Sequence, residues 1–111
     1  ENGADPNKTD RDGMTPLMQI VVLSDGYDSA RALNFMVRLL EAGANVQAQE
    51  AVHGLTALHW AGMGGHNESV RLLLEQSADA KVRDKKNRTP LFYARERQAA
   101  EAISLLRLAM K

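Results

Sequence analysis

The 111-residue sequence contains no cysteine, few aromatic residues and no net charge. Without cysteine the chain has no disulfides, thiolate zinc ligands or thiol nucleophiles. Its longest apolar run, residues 20–23, is far shorter than the ~20 residues of a membrane-spanning helix. The first six residues have neither the basic nor the apolar character of a targeting segment. The length and the 44% apolar content instead predict one globular domain.

The zero net charge is the sum of two oppositely charged segments. The first 80 residues carry five basic and eleven acidic side chains, whereas the last 31 carry nine basic and three acidic ones. Much of the positive charge lies in one run, residues 81–88. Such a run is typical of a nucleic-acid contact or of a solvated loop. Because no aromatic residue interleaves with it, stacking on single strands is not expected, and we interpret it as a loop.

The sequence repeats itself. Residues 54–59 recur as residues 87–92 at an offset of 33, and residues 13–17 open another copy 41 positions before the second. Of the eight extra residues in the first copy, seven lie around residues 24–30 and one lies within residues 49–53. We interpret the larger insertion as an exposed loop, for which a second contact site is one interpretation. A fixed period of this length predicts stacked structural units.

Each copy predicts a pair of short helices. Thr15, Thr56 and Thr89 stand where a helix N-cap is expected, and proline follows two of them at the first helical position. The predicted first helices span residues 16–23, 57–63 and 90–97, and the predicted second helices span residues 29–42, 67–76 and 99–109. Each pair leaves an apolar side that only a neighbouring pair can cover. The shared core is expected to contain Leu17, Leu39, Leu40, Leu58, Trp60, Leu72, Leu73, Leu91, Leu105 and Leu106.

The period, with its Thr-Pro-Leu opening, Gly-His middle and Leu-Leu-x-x-Gly-Ala-Asp close, resembles the ankyrin repeat. The motif residues are Asp10, Gly13, Thr15, Pro16 and Leu17 in the first copy, Gly54, Thr56, Ala57, Leu58, His59, Ala61, Gly65 and His66 in the second, and Asp84, Thr89, Pro90, Leu91 and Ala94 in the third. Residues 43–50 are similar to inhibitors of NF-κB, whereas residues 56–61 and 89–92 are equally similar to Notch-type repeats.

This resemblance implies an all-α ankyrin-repeat solenoid of helix-turn-helix repeats with β-hairpin fingers. Residues 1–9 would be the tail of a preceding repeat, residues 10–50 a repeat with the seven-residue insertion, residues 51–83 a second repeat and residues 84–111 a C-terminal capping repeat. The cap is indicated because Arg95, Gln98 and Arg107 stand where the second repeat has smaller or apolar residues. Because the chain starts within a repeat, we expect a longer array.

No residues form a recognisable catalytic, cofactor or metal site. The sequence has no nucleophile motif and no phosphate-binding glycine loop after a strand. His59 and His66 are seven positions apart, which does not match a helical metal pair. The resemblance implies that both make structural hydrogen bonds, whereas His53 is expected at an exposed loop tip. We therefore expect a protein that is not an enzyme and needs no cofactor.

The resemblance also implies a partner on the concave face, which the fingers and first helices form. The positions carried over as partner contacts are Arg11, Asp12, Met14, Gln49, Val52, His53, Leu55, Met63, Arg83, Lys85, Lys86, Arg88 and Arg97. Exposed apolar residues at one end and basic residues at the other predict a protein segment with apolar and acidic parts.

The expected function is a monomeric interaction module of a larger intracellular regulatory protein, in the cytoplasm or the nucleus. The alternative is a regulatory or substrate-recruiting arm of an enzyme, a ubiquitin-ligase adaptor or a channel.

Overall fold

The computed structural model describes residues 5–24 and 29–111 of the chain. These residues form six helices, which are α1 (Pro16–Leu23), α2 (Ser29–Glu41), α3 (Ala57–Gly64), α4 (Asn67–Glu75), α5 (Pro90–Arg97) and α6 (Ala100–Ala109). All six predicted helices are confirmed, with ends that agree to within one residue. The centre of the predicted insertion, residues 25–28, lies outside the described residues. The interpretation of this insertion as a second contact site therefore stays a prediction.

The helices pair within each repeat and stack between repeats. Helix α1 packs against α2, α3 against α4 and α5 against α6, while the first helices α1, α3 and α5 form one continuous row. Helix α4 also packs against α6. The predicted all-α solenoid is therefore confirmed. The described residues contain no strand, so the predicted fingers are turns that we call the first (10–14), second (50–55) and third (84–88) finger loops.

Threonine caps begin two of the three first helices. The Thr15 Oγ1 atom accepts a hydrogen bond from the Met18 backbone N–H at 3.2 Å, and the Thr56 Oγ1 atom accepts one from the His59 N–H at 3.3 Å. Thr89 has the same extended backbone but its side chain accepts no such bond. The local signals for a helix start are thus sufficient even where one capping bond is missing.

The first and third finger loops are each closed by the side chain of an aspartate. The Asp10 carboxylate accepts hydrogen bonds from the backbone N–H groups of Asp12 and Met14, each at 2.9 Å. Asp84 does the same with the N–H groups two and four positions later, again at 2.9 Å. The backbone N–H of each aspartate also donates to the carbonyl four positions later, at 3.0 Å. Both loops are therefore held in one shape by local bonds.

The second finger loop is one residue longer and is closed by a glutamate. The Glu50 backbone N–H donates to the Leu55 carbonyl at 2.9 Å, five positions later. Its carboxylate accepts from the N–H groups of Val52 at 2.7 Å, His53 at 2.9 Å and Leu55 at 3.3 Å. Glu50 is only 2% exposed. The extra methylene of glutamate thus lets one carboxylate reach across the longer loop.

Side-chain amides connect each repeat to the next. The Asn7 Nδ2 atom donates to the Gly43 carbonyl at 3.1 Å, and the Gln47 Nε2 atom donates to the Ser77 carbonyl, at the equivalent position, at 2.8 Å. Each amide oxygen also accepts a backbone N–H two positions after that carbonyl. Lys81, at the equivalent position of the second repeat, can donate but cannot accept, so the same paired contact is not repeated toward the third repeat. The capping role of the third repeat stays a prediction.

The core is partly as predicted. Leu17, Leu58, Leu73 and Leu106 are at most 1% exposed. The other six predicted positions only pack against the core and remain partly exposed, because a stack of short helix pairs leaves the edge of each helix open to solvent; they are Leu39, Leu40, Trp60, Leu72, Leu91 and Leu105. Fully buried residues that the prediction missed include Met18, Val21, Met36, His59 and Val70.

Candidate functional site

A groove of about 360 Å³ lies between the second and third finger loops and the helices α3 and α5. Seven of the predicted contact residues line it, namely Val52, His53, Leu55, Met63, Lys85, Lys86 and Arg88. Trp60, Asp84 and Tyr93 complete its lining. Predicted contact residues from three segments of the chain, within residues 52–88, therefore meet in one place.

The floor of the groove is apolar. Leu55 is only 4% exposed, so the expectation that it is an exposed contact residue is corrected. Its backbone N–H is held by the buried Glu50 carboxylate, which places its side chain under the loop as support. Trp60 and Met63 are partly exposed beside it, and the Trp60 Nε1 atom is buried with no hydrogen-bond partner.

The sequence predicts Trp60 in the core, whereas in the structure it also lines the groove. Its place in the groove could have been predicted from its spacing from Met63. Residues three positions apart share one face of a helix, and Met63 was already assigned to the concave side. Tyr93, at the equivalent position of α5, also lines the groove, and the sequence did not predict it there.

The tip of the second finger loop forms one rim of the groove. Val52 is 52% exposed. His53 is also exposed, as predicted, and its Nδ1 atom lies 3.4 Å from the Glu50 Oε2 atom. The buried carboxylate thus holds both the backbone and the histidine of this rim.

Basic residues form the opposite rim. The Lys85 backbone N–H donates to the His53 carbonyl at 2.9 Å, and its Nζ atom donates to the Ala51 carbonyl. The Arg88 guanidinium lies over the ring of Phe92, 4.6 Å from its centre. Lys86 is exposed. The two rims are therefore joined by direct hydrogen bonds.

Asp84 anchors the basic rim from below. Burial raises the pKa of its carboxyl group. Hydrogen bonds from the Tyr93 hydroxyl and from the backbone N–H groups of Arg88 and Lys86 together lower the pKa by more, so it lies below its ordinary value. Burial and the hydrogen bond to the same carboxylate raise the pKa of Tyr93, while the Arg88 side chain lowers it in part. Asp84 is therefore ionised at neutral pH and keeps the third finger loop in place.

His59 links the second repeat to the third finger loop. Its ring is fully buried, its Nδ1 atom accepts from the Thr56 backbone N–H at 3.0 Å, and its Nε2 atom lies 2.8 Å from the Arg88 carbonyl oxygen. The ring also meets Tyr93 edge-on, with 5.8 Å between centres. The structural role predicted for His59 is confirmed. His66 lies at the end of α3 with its ring close to Gly64.

The other predicted contact residues lie outside the groove. Gln49 and Arg83 line a separate depression between the second and third finger loops. The Gln49 Nε2 atom donates to the carbonyls of Gly54 and Arg83, each at 2.9 Å, so this amide joins neighbouring loops. Those that do not line the groove are Arg11, Asp12, Met14, Gln49, Arg83 and Arg97.

Two further features bear on what the surface can do. Across residues 5–24 and 29–111, no three histidine, aspartate or glutamate side chains come together in a way that could hold a metal ion. In the same part of the chain, no helix combines the length and the apolar character needed to cross a membrane. The groove offers apolar contact area beside positive charge.

Stacked helix pairs with an open groove define a repeat protein, and comparison with known families agrees. A family model described as ankyrin repeats (3 copies) matches residues 26–110. The chain belongs to the ankyrin repeat family. Ankyrin repeats are a non-catalytic fold that binds other proteins.

Known ankyrin-repeat proteins share this sequence to a moderate degree. The chain is 46% identical over 68 residues to the E3 ubiquitin-protein ligase KEG of Arabidopsis thaliana, covering 61% of this chain and 4% of that protein. It is 36% identical over 105 residues to inversin of Mus musculus, covering 95% and 9%. It is 34% identical over 97 residues to the neurogenic locus notch homolog protein 1 of Xenopus laevis, covering 81% and 4%. The chain thus spans less than a tenth of each of these relatives.

Proposed function

We propose that this chain is an interaction module whose groove binds a segment of a partner protein that has apolar and acidic parts. The observation that carries the proposal is the convergence of Val52, Met63, Lys86 and Arg88 on one groove. Apolar residues exposed in one strip tend to mark interaction sites. Cationic residues beside them steer an acidic partner and set its register.

The shape of the groove supports a protein segment over a small metabolite. Both finger loops are held by buried carboxylates, so the rims are organised before a partner arrives. A preorganised surface loses less conformational entropy on binding. The groove is partly open rather than enclosed, which leaves room for an extended chain.

The test is selection of binders from a random peptide library displayed on phage, with the 111-residue chain as bait. Selected peptides are then titrated against wild type and against Met63→Glu, which places a charge on the apolar floor. We expect Met63→Glu to weaken binding by about tenfold or more, because a bound apolar side chain of the peptide would force the new carboxylate to lose its hydration. Leu108→Glu is the matched control, since Leu108 is exposed on α6 and does not line the groove. A library without binders, or equal binding to wild type and Met63→Glu, contradicts the proposal.

A second candidate function is a substrate-recruiting arm of a larger enzyme, in the cytoplasm or the nucleus. It is favoured by the 46% identity to a protein named as an E3 ubiquitin-protein ligase. In that case the groove would hold the substrate of the enzyme rather than a regulator. The two candidates are distinguished by whether a partner that binds the groove is modified by the full-length protein.

A further inference from the structure

We infer that, within the basic run, Lys86 and Arg88 alone form the subsite that takes an acidic side chain of the partner. The inference rests on the proposed function and specifies its partner further. The occupant is an extended peptide segment with a carboxylate at Lys86 and Arg88 and an apolar side chain against Val52 and Met63. The sequence does not distinguish these two cations from the other three in residues 81–88.

Three of the five basic residues are placed or engaged elsewhere. Lys81 does not line the groove. Arg83 lines the separate depression rather than the groove, and its Nη1 atom donates to the Asn87 carbonyl at 3.1 Å. Lys85 lines the groove, but its Nζ atom donates to the Ala51 carbonyl across the two finger loops. A partner carboxylate would have to displace that bond to reach Lys85.

Lys86 and Arg88 are held in position yet lack an acidic partner. Their backbone N–H groups both donate to Asp84 at 2.9 Å, which fixes the loop that carries them. Within the described part of the chain, neither side chain forms an ion pair. The Asp84 carboxylate beneath them is already occupied by these N–H groups and by the Tyr93 hydroxyl. It does not compete with an incoming carboxylate.

The stacking of Arg88 on Phe92 orients its guanidinium group. The 4.6 Å separation is that of a cation–π contact. The guanidinium also interacts with the Tyr93 hydroxyl, but it carries five N–H donors and so keeps others for a partner carboxylate. Lys86, two positions earlier in the third finger loop, adds a second positive charge on a more flexible side chain. Together they form a two-cation subsite for one acidic side chain.

The apolar half of the site favours a peptide over a nucleic acid. Val52 is half exposed on the facing rim, and Met63 lies on the floor between the rims. A methionine adapts to side chains of different shape. A phosphate backbone would gain nothing from these two apolar residues.

The experiment compares two charge reversals of equal size in the same segment. Peptides selected on the wild-type chain are titrated against the double variant Lys86→Glu/Arg88→Glu and against the control Lys81→Glu/Arg83→Glu. We expect about a tenfold loss for the first, shrinking as salt rises from about 50 to 500 mM, and about twofold or less for the second. Replacing the peptide's acidic residue by glutamine should cause a similar loss on wild type and no further loss on the first double variant.

Melting curves show whether each variant is folded. If the charge reversal unfolds the loop, Lys86→Gln/Arg88→Gln replaces it, because glutamine removes the charge but keeps a long polar side chain. This variant should also weaken binding. Equal losses for the two charge pairs would overturn the subsite in favour of a general effect of the basic run. Loss with Met63→Glu but with neither charge pair would also overturn the subsite while leaving the groove's function intact. Binding that none of these variants changes contradicts the proposed function itself.

Discussion

At the scale of single residues, His59 shows how one side chain connects two repeats. Its Nδ1 atom accepts from the Thr56 N–H, so the ring proton lies on Nε2 and is donated to the Arg88 carbonyl. A second proton would remove the acceptor that Thr56 needs. Burial lowers the pKa of His59, while the Arg88 carbonyl and the Asp84 and Glu50 carboxylates raise it in part. The net pKa lies below the ordinary value, so the folded chain favours the neutral ring.

This shift predicts a loss of stability in mild acid. The unfolded chain binds a proton on this histidine near pH 6.5, whereas the folded chain does so only at lower pH, so the unfolded state gains as pH falls below about 6.5. Well above that pH the histidine is neutral in both states, so its protonation does not reduce the free energy of unfolding. Urea unfolding from about pH 7.5 to 5.5 should show falling stability in wild type and a flatter profile in His59→Asn. An unchanged slope in His59→Asn would contradict this account.

At the scale of elements, the finger loops show a match between side-chain length and loop length. Asp10 and Asp84 close loops in which the backbone bond spans four positions, and Glu50 closes one that spans five. Three N–H groups converge on the Glu50 carboxylate. Burial raises the pKa of Glu50, but these bonds lower it more. The inserted residue and the glutamate are therefore one structural unit.

Glu50→Asp tests this match while keeping the charge. The shorter side chain cannot reach all three N–H groups, and an unsatisfied buried donor costs about 1–3 kcal/mol. We expect Glu50→Asp to destabilise the chain by about 1–2 kcal/mol, as measured by denaturant unfolding. Glu41→Asp, at the exposed end of α2, should cost only a few tenths of a kcal/mol. Equal stability of the two variants would show that the loop does not depend on the reach of Glu50.

At the scale of the whole molecule, stability depends on close contact between repeats. Helix α3 packs directly on α5. At Gly62 the backbones approach so closely that an added Cβ atom would lie 2.9 Å from the Pro90 carbonyl oxygen. Val21, the equivalent residue of the first repeat, is fully buried, whereas Arg95 of the third is exposed. The same position thus faces a neighbour in two repeats and solvent in the last.

Gly62→Ala should therefore destabilise the molecule even though alanine favours helices. Alanine gains about 1 kcal/mol of helix propensity, but overpacking against a fixed backbone costs about 1–3 kcal/mol. We expect a net loss of about 1 kcal/mol and a broader thermal transition as the second and third repeats separate. Ser104→Ala, on the exposed side of α6, reports propensity alone and should be neutral or slightly stabilising. A Gly62→Ala variant more stable than wild type would rule out a close contact here.

The helices could be predicted because their signals are local. A threonine followed by proline, and an apolar residue every three or four positions, identify a helix from its own residues, as at Thr15 and Pro16. The groove could be predicted only in part. Leu55 was expected on the surface and is buried, because the reach of Glu50 turns its loop inward. Lys85, expected as a free cation, donates to the Ala51 carbonyl 34 positions away.

The sequence by itself determined the repeat period, the six helices and the family, since all three depend on residue type and spacing along the chain. Only the tertiary structure decided which side chains can meet a partner. Gln49, Arg83 and Lys85 are polar, as Lys86 is, yet they donate hydrogen bonds to carbonyl groups of their own or neighbouring loops. The physical reason is that a side chain's free hydrogen-bonding capacity depends on the groups that folding brings beside it, and spacing along the chain does not specify these.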